Sequence, residues 1–102
     1  MKNLKIYLDN IDRFNSMPLW KYLLQNATKL NLKGATVYKA VAGIGKHKEL
    51  HTFEFVSLSN TMPLIIEIIE KEENINRFLE LSKDALKSCF VTLSDVEVIS
   101  FE

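Results

Sequence analysis

The 102-residue sequence has one cysteine, three glycines and two prolines, and its 13 basic side chains equal its 13 acidic ones. The lone Cys89 excludes an internal disulfide and is typical of a reducing compartment. Zero net charge provides no overall field that would attract nucleic acid or an acidic membrane. The longest apolar run is far shorter than the roughly 20 residues of a membrane helix, and polar residues follow Met1 too soon for a signal peptide. We therefore expect a soluble cytoplasmic protein with no direct membrane insertion.

Strand-like segments make up much of the chain. Apolar and polar residues alternate, as in strands buried on one face, in four stretches: "LKIYLD", "ATVYKAVA", "HTFEFVSL" and "FVTLSDVEVISF". The last stretch is expected to form one bent strand or two short ones. A fifth segment, "PLIIEIIE", is almost continuously apolar, which predicts a strand covered on both faces.

Two segments have helical spacing. Apolar residues fall on one helix face in each: Trp20, Leu23, Leu24 and Ala27 in the first, and Ile75, Phe78, Leu79, Ala85 and Leu86 in the second. Ser16 and Asn74 are the expected N-caps, and Gly34 is the expected stop of the first helix. Charged residues of the second helix suit its dipole: Glu72 and Glu73 at its start, Lys83 and Lys87 near its end.

The order of these elements predicts an α+β fold. Strand, helix, strand, strand, helix and strand follow one another, which is the ferredoxin-like βαββαβ sandwich with an antiparallel sheet and two helices on one face. The segment between the second and third main strands is expected to hold an extra short strand. We predict a single domain of this kind over residues 1–102. This fold hosts many unrelated functions and therefore does not decide the function.

The aromatic strands partly resemble an RNA-recognition module. "IYLDNI" fits the first-strand motif of that family, and Phe53 and Phe55 stand where stacking aromatics would lie in its third strand. Thr52 replaces the expected glycine, however, and Glu54 puts a negative charge between the two rings. Zero net charge also opposes a phosphate-binding sheet. We expect no nucleic-acid partner, and we expect the aromatics to pack in a core or a subunit interface.

The sequence contains no strong enzyme motif. "AVAGIGKH" differs from a phosphate-binding Walker A loop because Ala40 and His47 replace required residues and a strand follows instead of a helix. His47, His51, Glu49 and Cys89 could be assembled into a metal site, but the pattern around them is that of loop and strand, which favours a structural or exposed role. We predict that the protein is not an enzyme and holds no metal.

The stretch "GATVYKAVAGIGKHKELH" contains all three glycines. It resembles the second strand and following loop of the PII signalling proteins, whose pattern is Gly-x-Thr-Val, then Gly-aromatic-Gly, then a basic residue that opens an exposed loop. The similarity to the PII-like family known as domain of unknown function 190 is greater and spans nearly the whole chain. It rests on "LKIYLDNIDRFNSMPLWKYLL", "GATV", "LHTFEFVSLSNTMPLIIEIIE" and "FVTLSDVEVISF", in the right order and spacing.

The resemblance implies a ligand site. In PII proteins the glycine pair lies at a cleft between subunits that binds a nucleotide, so the expected ligand-binding residues here are Thr36, Gly43, Gly45, Lys46 and His47. Glycines can adopt φ > 0 and allow close backbone approach, their N–H groups can hold an anion, and Lys46 adds positive charge. The implied cofactor is an adenine nucleotide, although a hairpin turn with a bulge would also explain the glycines.

The resemblance also implies partners. PII-like proteins form homotrimers, and Tyr7, Phe53 and Phe55 provide apolar surface for a second subunit. Regulation would change the segment from Gly45 to Met62, including Lys48 and His51, which docks on a protein partner; in PII systems such partners include membrane transporters and metabolic enzymes. The alternatives are a ligand-free trimeric scaffold protein and a metal-tolerance-type relative of the same superfamily.

The sequence departs from PII proteins proper in three places. Its strand from Thr36 to Gly43 is one residue longer, which predicts a bulge or a shifted register, and Ile44 replaces the usual aromatic. PII proteins also have a second glycine-rich loop before the last strand, whereas "SKDALKSCFVTL" contains no glycine. ATP, a smaller nucleotide, another anion and no ligand therefore remain alternatives.

Overall fold

The computed structural model describes residues 1–44, the backbone of 50–52, and residues 61–101. Within these ranges the strands are β1 (Lys2–Asp9), β2 (Arg13–Phe14), β3 (Met17–Pro18), β4 (Ala35–Lys39), β5 (Ala42–Ile44), β6 (Leu50–Thr52), β7 (Pro63–Glu70) and β8 (Phe90–Asp95). The helices are α1 (Leu19–Lys29) and α2 (Glu72–Leu86).

The main sheet has the strand order β4-β7-β1-β8, and every neighbouring pair is antiparallel. Together with the chain order, this arrangement is the ferredoxin-like βαββαβ topology, so the predicted fold class is confirmed. The extra strand expected between the second and third main strands is present as β5, which pairs with β6 in a separate two-stranded sheet. β2 and β3 form another small hairpin beside α1.

The core lies between one face of the main sheet and the two helices. Alternate residues of the central strands β1 and β7 point into it, and α1 and α2 contribute their apolar faces. Its buried members are Leu4, Ile6, Leu8, Leu19, Leu23, Ala27, Leu64, Ile66, Ile68, Ile75, Phe78 and Ala85. The opposite face of the sheet, which we call the open face, carries Tyr7, Tyr38 and Phe90 among other side chains.

The central strand β7 differs from its prediction. Its burial alternates, with Leu64, Ile66 and Ile68 buried and Ile65 and Ile69 more accessible on the open face. The expectation that both faces are covered is therefore wrong for the described residues of one protomer. The last strand also ends earlier than expected, at Asp95, and residues 96–101 form no further strand. Most of "HTFEFVSL", including Phe53 and Phe55, lies outside the described residues.

Both helices begin at residues other than the predicted caps. Ser16 and Asn15 have φ of 64° and 51° and form the two-residue turn of the β2–β3 hairpin. Ser16 is thus no cap, and α1 begins after Pro18, where the Leu19 N–H donates to the Asp12 carbonyl at 2.8 Å. Helix α2 begins after Lys71, so Asn74 lies inside its first turn.

The first helix ends before the predicted stop. Asn31 has a φ of 57°, and the N–H groups of Asn31 and Leu32 donate to the carbonyls of Thr28 and Ala27. Those two bonds form the C-terminal motif in which glycine is the usual residue. Asn31 therefore takes the role that the sequence pattern gave to Gly34.

Two buried polar groups join separate elements. The Asn26 side-chain amide of α1 donates to the Ser82 hydroxyl of α2 at 2.9 Å, and both residues are buried. Glu70, at the end of β7, accepts hydrogen bonds from the backbone N–H groups of Lys33 and Lys71 and from the Asn74 side chain. The Lys33 and Asn74 bonds, in that order, hold the pKa of Glu70 below its ordinary value of 4.5 against the opposing effect of burial.

Candidate functional site

A cleft of about 810 Å³ lies on the open face, and Gly43 is among the residues that line it. Four parts of the chain form its walls: the end of β1, the hairpin strand β5, the start of β7, and the turn between α2 and β8. This volume lies within the range of small-molecule sites. The cleft thus joins residues that are far apart in sequence, and only one of its walls comes from the glycine stretch.

Gly43 belongs to the β5 wall and packs closely against β7. A Cβ atom at this position would lie 3.2 Å from Cγ of Pro63, which is tighter than ordinary contact. Gly43 has no positive φ, so it does not adopt the left-handed backbone conformation that sequence analysis allowed for this glycine. Close approach therefore favours glycine here, because a larger residue would have to shift the Pro63 ring by a few tenths of an ångström. The same residue pairs with His51 in the β5–β6 hairpin, so it is both a hairpin residue and a cleft wall.

The lengthened strand before Gly43 is interrupted. β4 ends at Lys39 and β5 begins at Ala42, with a bend at Val41. The Ala40 N–H still donates to the Pro63 carbonyl at 3.0 Å, which anchors the bend to β7. The expected bulge or register shift thus takes the form of a break between two strands, and this break turns β5 toward the cleft.

Apolar side chains form the floor of the cleft. The rings of Tyr7 and Phe90 lie opposite each other on β1 and β8, with centroids 5.6 Å apart and planes inclined by 54°. Pro63 and Ile65 continue this surface on β7. An aromatic ring of a ligand can bury apolar area against this pair, in the tilted or offset arrangement that aromatic rings prefer.

The polar part of the cleft was not predicted as a site. Lys87, Ser88 and Cys89 of the α2–β8 turn line it, and the Lys87 ammonium lies 3.3 Å from Asp84 Oδ1. Sequence analysis placed Lys87 only at a helix end. The available signal was its position just before the last strand, where the resembling PII proteins have their second glycine-rich loop.

Asp9 adds a carboxylate to the cleft wall at the end of β1. The residue is only 5% exposed, and its backbone is held by a short turn in which its N–H donates to Asp12 Oδ2 at 2.9 Å. Its carbonyl accepts the Asp12 N–H at 3.1 Å. Sequence analysis missed Asp9 as well, because "LDN" gives no sign that it will meet the α2–β8 turn.

Thr36 lies away from this cleft. It is exposed on β4 opposite Glu67, whereas Gly43 packs on Pro63, four residues earlier on β7. At the rise of a strand, that separation is roughly 13 Å. The structure therefore does not bring Thr36 and Gly43 together within one protomer.

Four other predicted residues lie outside the described part of the chain: Gly45, Lys46, His47 and Lys48. His51 is described only by its backbone pairing with Gly43. Among the described residues, no group of three or more His, Cys, Asp or Glu side chains could hold a metal ion. Within the same ranges, neither helix is long and apolar enough to cross a membrane.

Solved structures with the same fold include PII-like proteins. CPII, a nitrogen regulatory PII-like protein from Thiomonas intermedia K12 solved bound to ADP, AMP and bicarbonate, gives a TM-score of 0.71 at 19% identity over 95% of this chain and 86% of that one. A protein from Thermus thermophilus described as PII-like and signalling gives 0.69 at 21% identity, over 96% and 88% of the two chains. At these identities the likeness concerns the fold.

Relatives with higher sequence identity and a family model identify the family of this chain. A UPF0166 protein of Aquifex aeolicus is 43% identical over 98 residues, covering 96% of this chain and 92% of the relative. A UPF0166 protein of Methanocaldococcus jannaschii is 37% identical over 87 residues, covering 85% and 80%. The model of the DUF190 family, described as "Uncharacterized ACR", matches residues 1–98. The chain therefore belongs to the DUF190 family, as the sequence motifs predicted.

Proposed function

We propose that this chain is a non-catalytic PII-like regulatory protein that binds an adenine nucleotide in the open-face cleft. The observation that carries the proposal is Gly43, which packs against Pro63 and forms one wall of a cleft of about 810 Å³. The resemblance to PII proteins independently assigns a nucleotide to this glycine. CPII, which shares the fold, was solved with ADP and AMP, and this supports the choice of an adenine ligand.

The walls of the cleft suit the two ends of a nucleotide. The Tyr7 and Phe90 rings provide an apolar surface for the base. Lys87 and Ser88 line the cleft nearby and provide an ammonium and a hydroxyl for a phosphate. Binding there would bias the conformation of residues 45–62, which we propose as the segment that docks on a protein partner of the membrane-transporter or metabolic-enzyme class.

A homotrimer would complete this site. Thr36 is roughly 13 Å along the sheet from Gly43 and does not line the cleft, so we assign it to the ligand site of a neighbouring copy. The open face provides an apolar surface for such contacts, since Tyr38 is exposed on it outside the cleft lining. We propose that Thr36 of one copy and Gly43 of the next share each ligand.

Isothermal titration calorimetry with AMP and ADP tests the proposal. The wild type should bind at least one of them, and Gly43→Val should weaken binding tenfold or more, about 1.4 kcal/mol, because the added side chain must displace Pro63. The matched control is Gly34→Ala, whose Cβ would meet no described heavy atom within 4 Å. That variant should bind as the wild type does.

A second measurement locates the ligand without relying on a variant. Cys89 lines the cleft and is the chain's only cysteine, so a bound nucleotide should slow its labelling by a maleimide. Unchanged labelling at saturating nucleotide would put the ligand elsewhere. If neither AMP nor ADP binds the wild type at millimolar concentration, nucleotide sensing fails and the ligand-free scaffold becomes the better interpretation.

A further inference from the structure

We propose that the cleft selects a nucleoside monophosphate over the corresponding di- and triphosphate. This inference rests on the proposed function and adds to it the length of the phosphate tail. It depends on the α2–β8 turn, residues 87–89, which forms the polar wall of the cleft. Two properties of this turn, its backbone donors and its charge, favour a short tail.

The backbone of the turn is poorly suited to several phosphates. It follows directly after the C-terminus of α2 at Leu86, where carbonyl groups project and the helix dipole is negative. The Cys89 N–H is already donated to the Leu86 carbonyl at 3.0 Å. A loop that cradles a polyphosphate instead presents successive free N–H groups, usually with glycines, and the sequence has no glycine after Gly45.

The charge at the turn is nearly balanced before any ligand arrives. Lys87 is its cation, and the Asp84 carboxylate lies 3.3 Å from the Lys87 ammonium. A monophosphate brings about two negative charges and a triphosphate about four. Lys87 is the only cation among the described residues that line the cleft, so the charge of each added phosphate is less fully offset at this turn.

Calorimetry with AMP, ADP and ATP in EDTA tests this selectivity, since Mg²⁺ would neutralise part of the longer tails. We expect AMP to bind at least fivefold more tightly than ATP, with ADP between them. Asp84→Asn removes the carboxylate beside Lys87 and should strengthen ATP binding about two- to fivefold, the scale of an exposed charge pair. It should strengthen AMP binding less, so the AMP-to-ATP ratio falls.

The same helix provides a matched control. Glu80 lies 3.2 Å from Lys83 in an equally exposed pair with the same spacing, and neither residue lines the cleft. Glu80→Gln should leave all three affinities unchanged. ATP binding as tight as AMP in the wild type would overturn the inference while leaving the proposed function intact.

Two further results would also count against the inference. An AMP preference that Asp84→Asn leaves unchanged would overturn its assignment to this turn. Absence of binding by all three nucleotides would overturn the proposed function, and the inference with it.

Discussion

Glu70 shows how a single carboxylate joins three segments at the residue scale. It accepts hydrogen bonds from Lys33 in the α1–β4 loop at 2.8 Å, from Asn74 in α2 at 3.0 Å, and from the Lys71 N–H at 3.2 Å. The residue is only 4% exposed, so water cannot easily replace these partners. Its negative charge also lies at the N-terminus of α2, where the helix dipole favours an anion.

Glu70→Gln should destabilise the protein by about 1–2 kcal/mol at pH 7, because a neutral amide replaces a charged acceptor. The folded pKa of Glu70 is below its ordinary 4.5, so its contribution is present above that pH and is lost as the pH falls through the lower folded value. Urea unfolding between about pH 7 and 3 should therefore show a smaller acid-induced loss in Glu70→Gln than in wild type.

The exposed Glu80 is the control for the substitution itself, because Glu80→Gln breaks only an exposed ion pair and should change the free energy of unfolding at pH 7 by about 0.5 kcal/mol or less. Equal acid-induced losses in wild type and Glu70→Gln would show that Glu70 has the same pKa in the folded and unfolded chain.

The residues of the candidate site differ in how far sequence could predict them. Gly43 was selected through the resemblance of its Gly-x-Gly stretch to PII proteins, and its role in ligand binding stays a prediction. The structure shows that it lies close to Pro63 and has no positive φ. Asp9 could not be predicted, since it lines the cleft only because β1 and β8 pair with Tyr7 opposite Phe90. Lys87 had one signal, its position just before the last strand, but the residues around it gave no sign of a cleft.

The packing of the two helices is the clearest feature at the element scale. α1 and α2 pack on the same face of the sheet, and the Asn26–Ser82 hydrogen bond of 2.9 Å joins them inside their interface. Exposure is 1% for Asn26 and 0% for Ser82. Either group left without the other would remain buried and unpaired.

Asn26→Ala and Ser82→Ala should each destabilise the protein by about 1–3 kcal/mol. The double variant should lose less than the sum of the two, because it leaves neither group unpaired, with an interaction energy of at least about 0.5 kcal/mol. Chemical denaturation of the four proteins gives this double-mutant cycle. A matched cycle on the exposed Glu80–Lys83 pair should give about 0.5 kcal/mol or less, and additive Asn26 and Ser82 effects would contradict the prediction.

Elements were easier to predict than their ends. The helical faces and the acidic first turn of α2, with Glu72 and Glu73, were correct because they follow from local periodicity and the dipole. The caps were wrong because tertiary contacts supply them: the Asp12 carbonyl receives the first N–H of α1, and Glu70 receives the Asn74 amide. A lone Ser16 could not compete with a partner that folding brings near, whereas Gly34 lost its role to Asn31, which forms a local C-terminal motif three residues earlier.

At the scale of the whole molecule, the open face of the sheet is the candidate surface for contact with another protein molecule. The register aligns Tyr38, Ile65, Tyr7 and Phe90 in one row across all four strands. The next row of the register is polar, and in it Lys5 lies 4.0 Å from Glu67. Asn3, on the same face, donates to Glu67, while its Oδ1 is buried without a hydrogen-bond partner among the described residues. An apolar row beside such an acceptor is typical of a surface that another protein molecule covers.

We expect the wild type to sediment at about three times the 11.8 kDa chain mass at micromolar concentration. Tyr38→Glu should shift it to smaller species, because a charge would then enter the part of this row outside the cleft, where we expect the second copy to pack. Leu81→Glu is the matched control, since Leu81 is 43% exposed on α2 and Tyr38 is 39% exposed on the open face. Circular dichroism should be unchanged in both, since both side chains already reach solvent in the protomer. A trimer that survives Tyr38→Glu would remove the open-face row from the interface, and a monomeric wild type would leave Thr36 with no route to the ligand at Gly43.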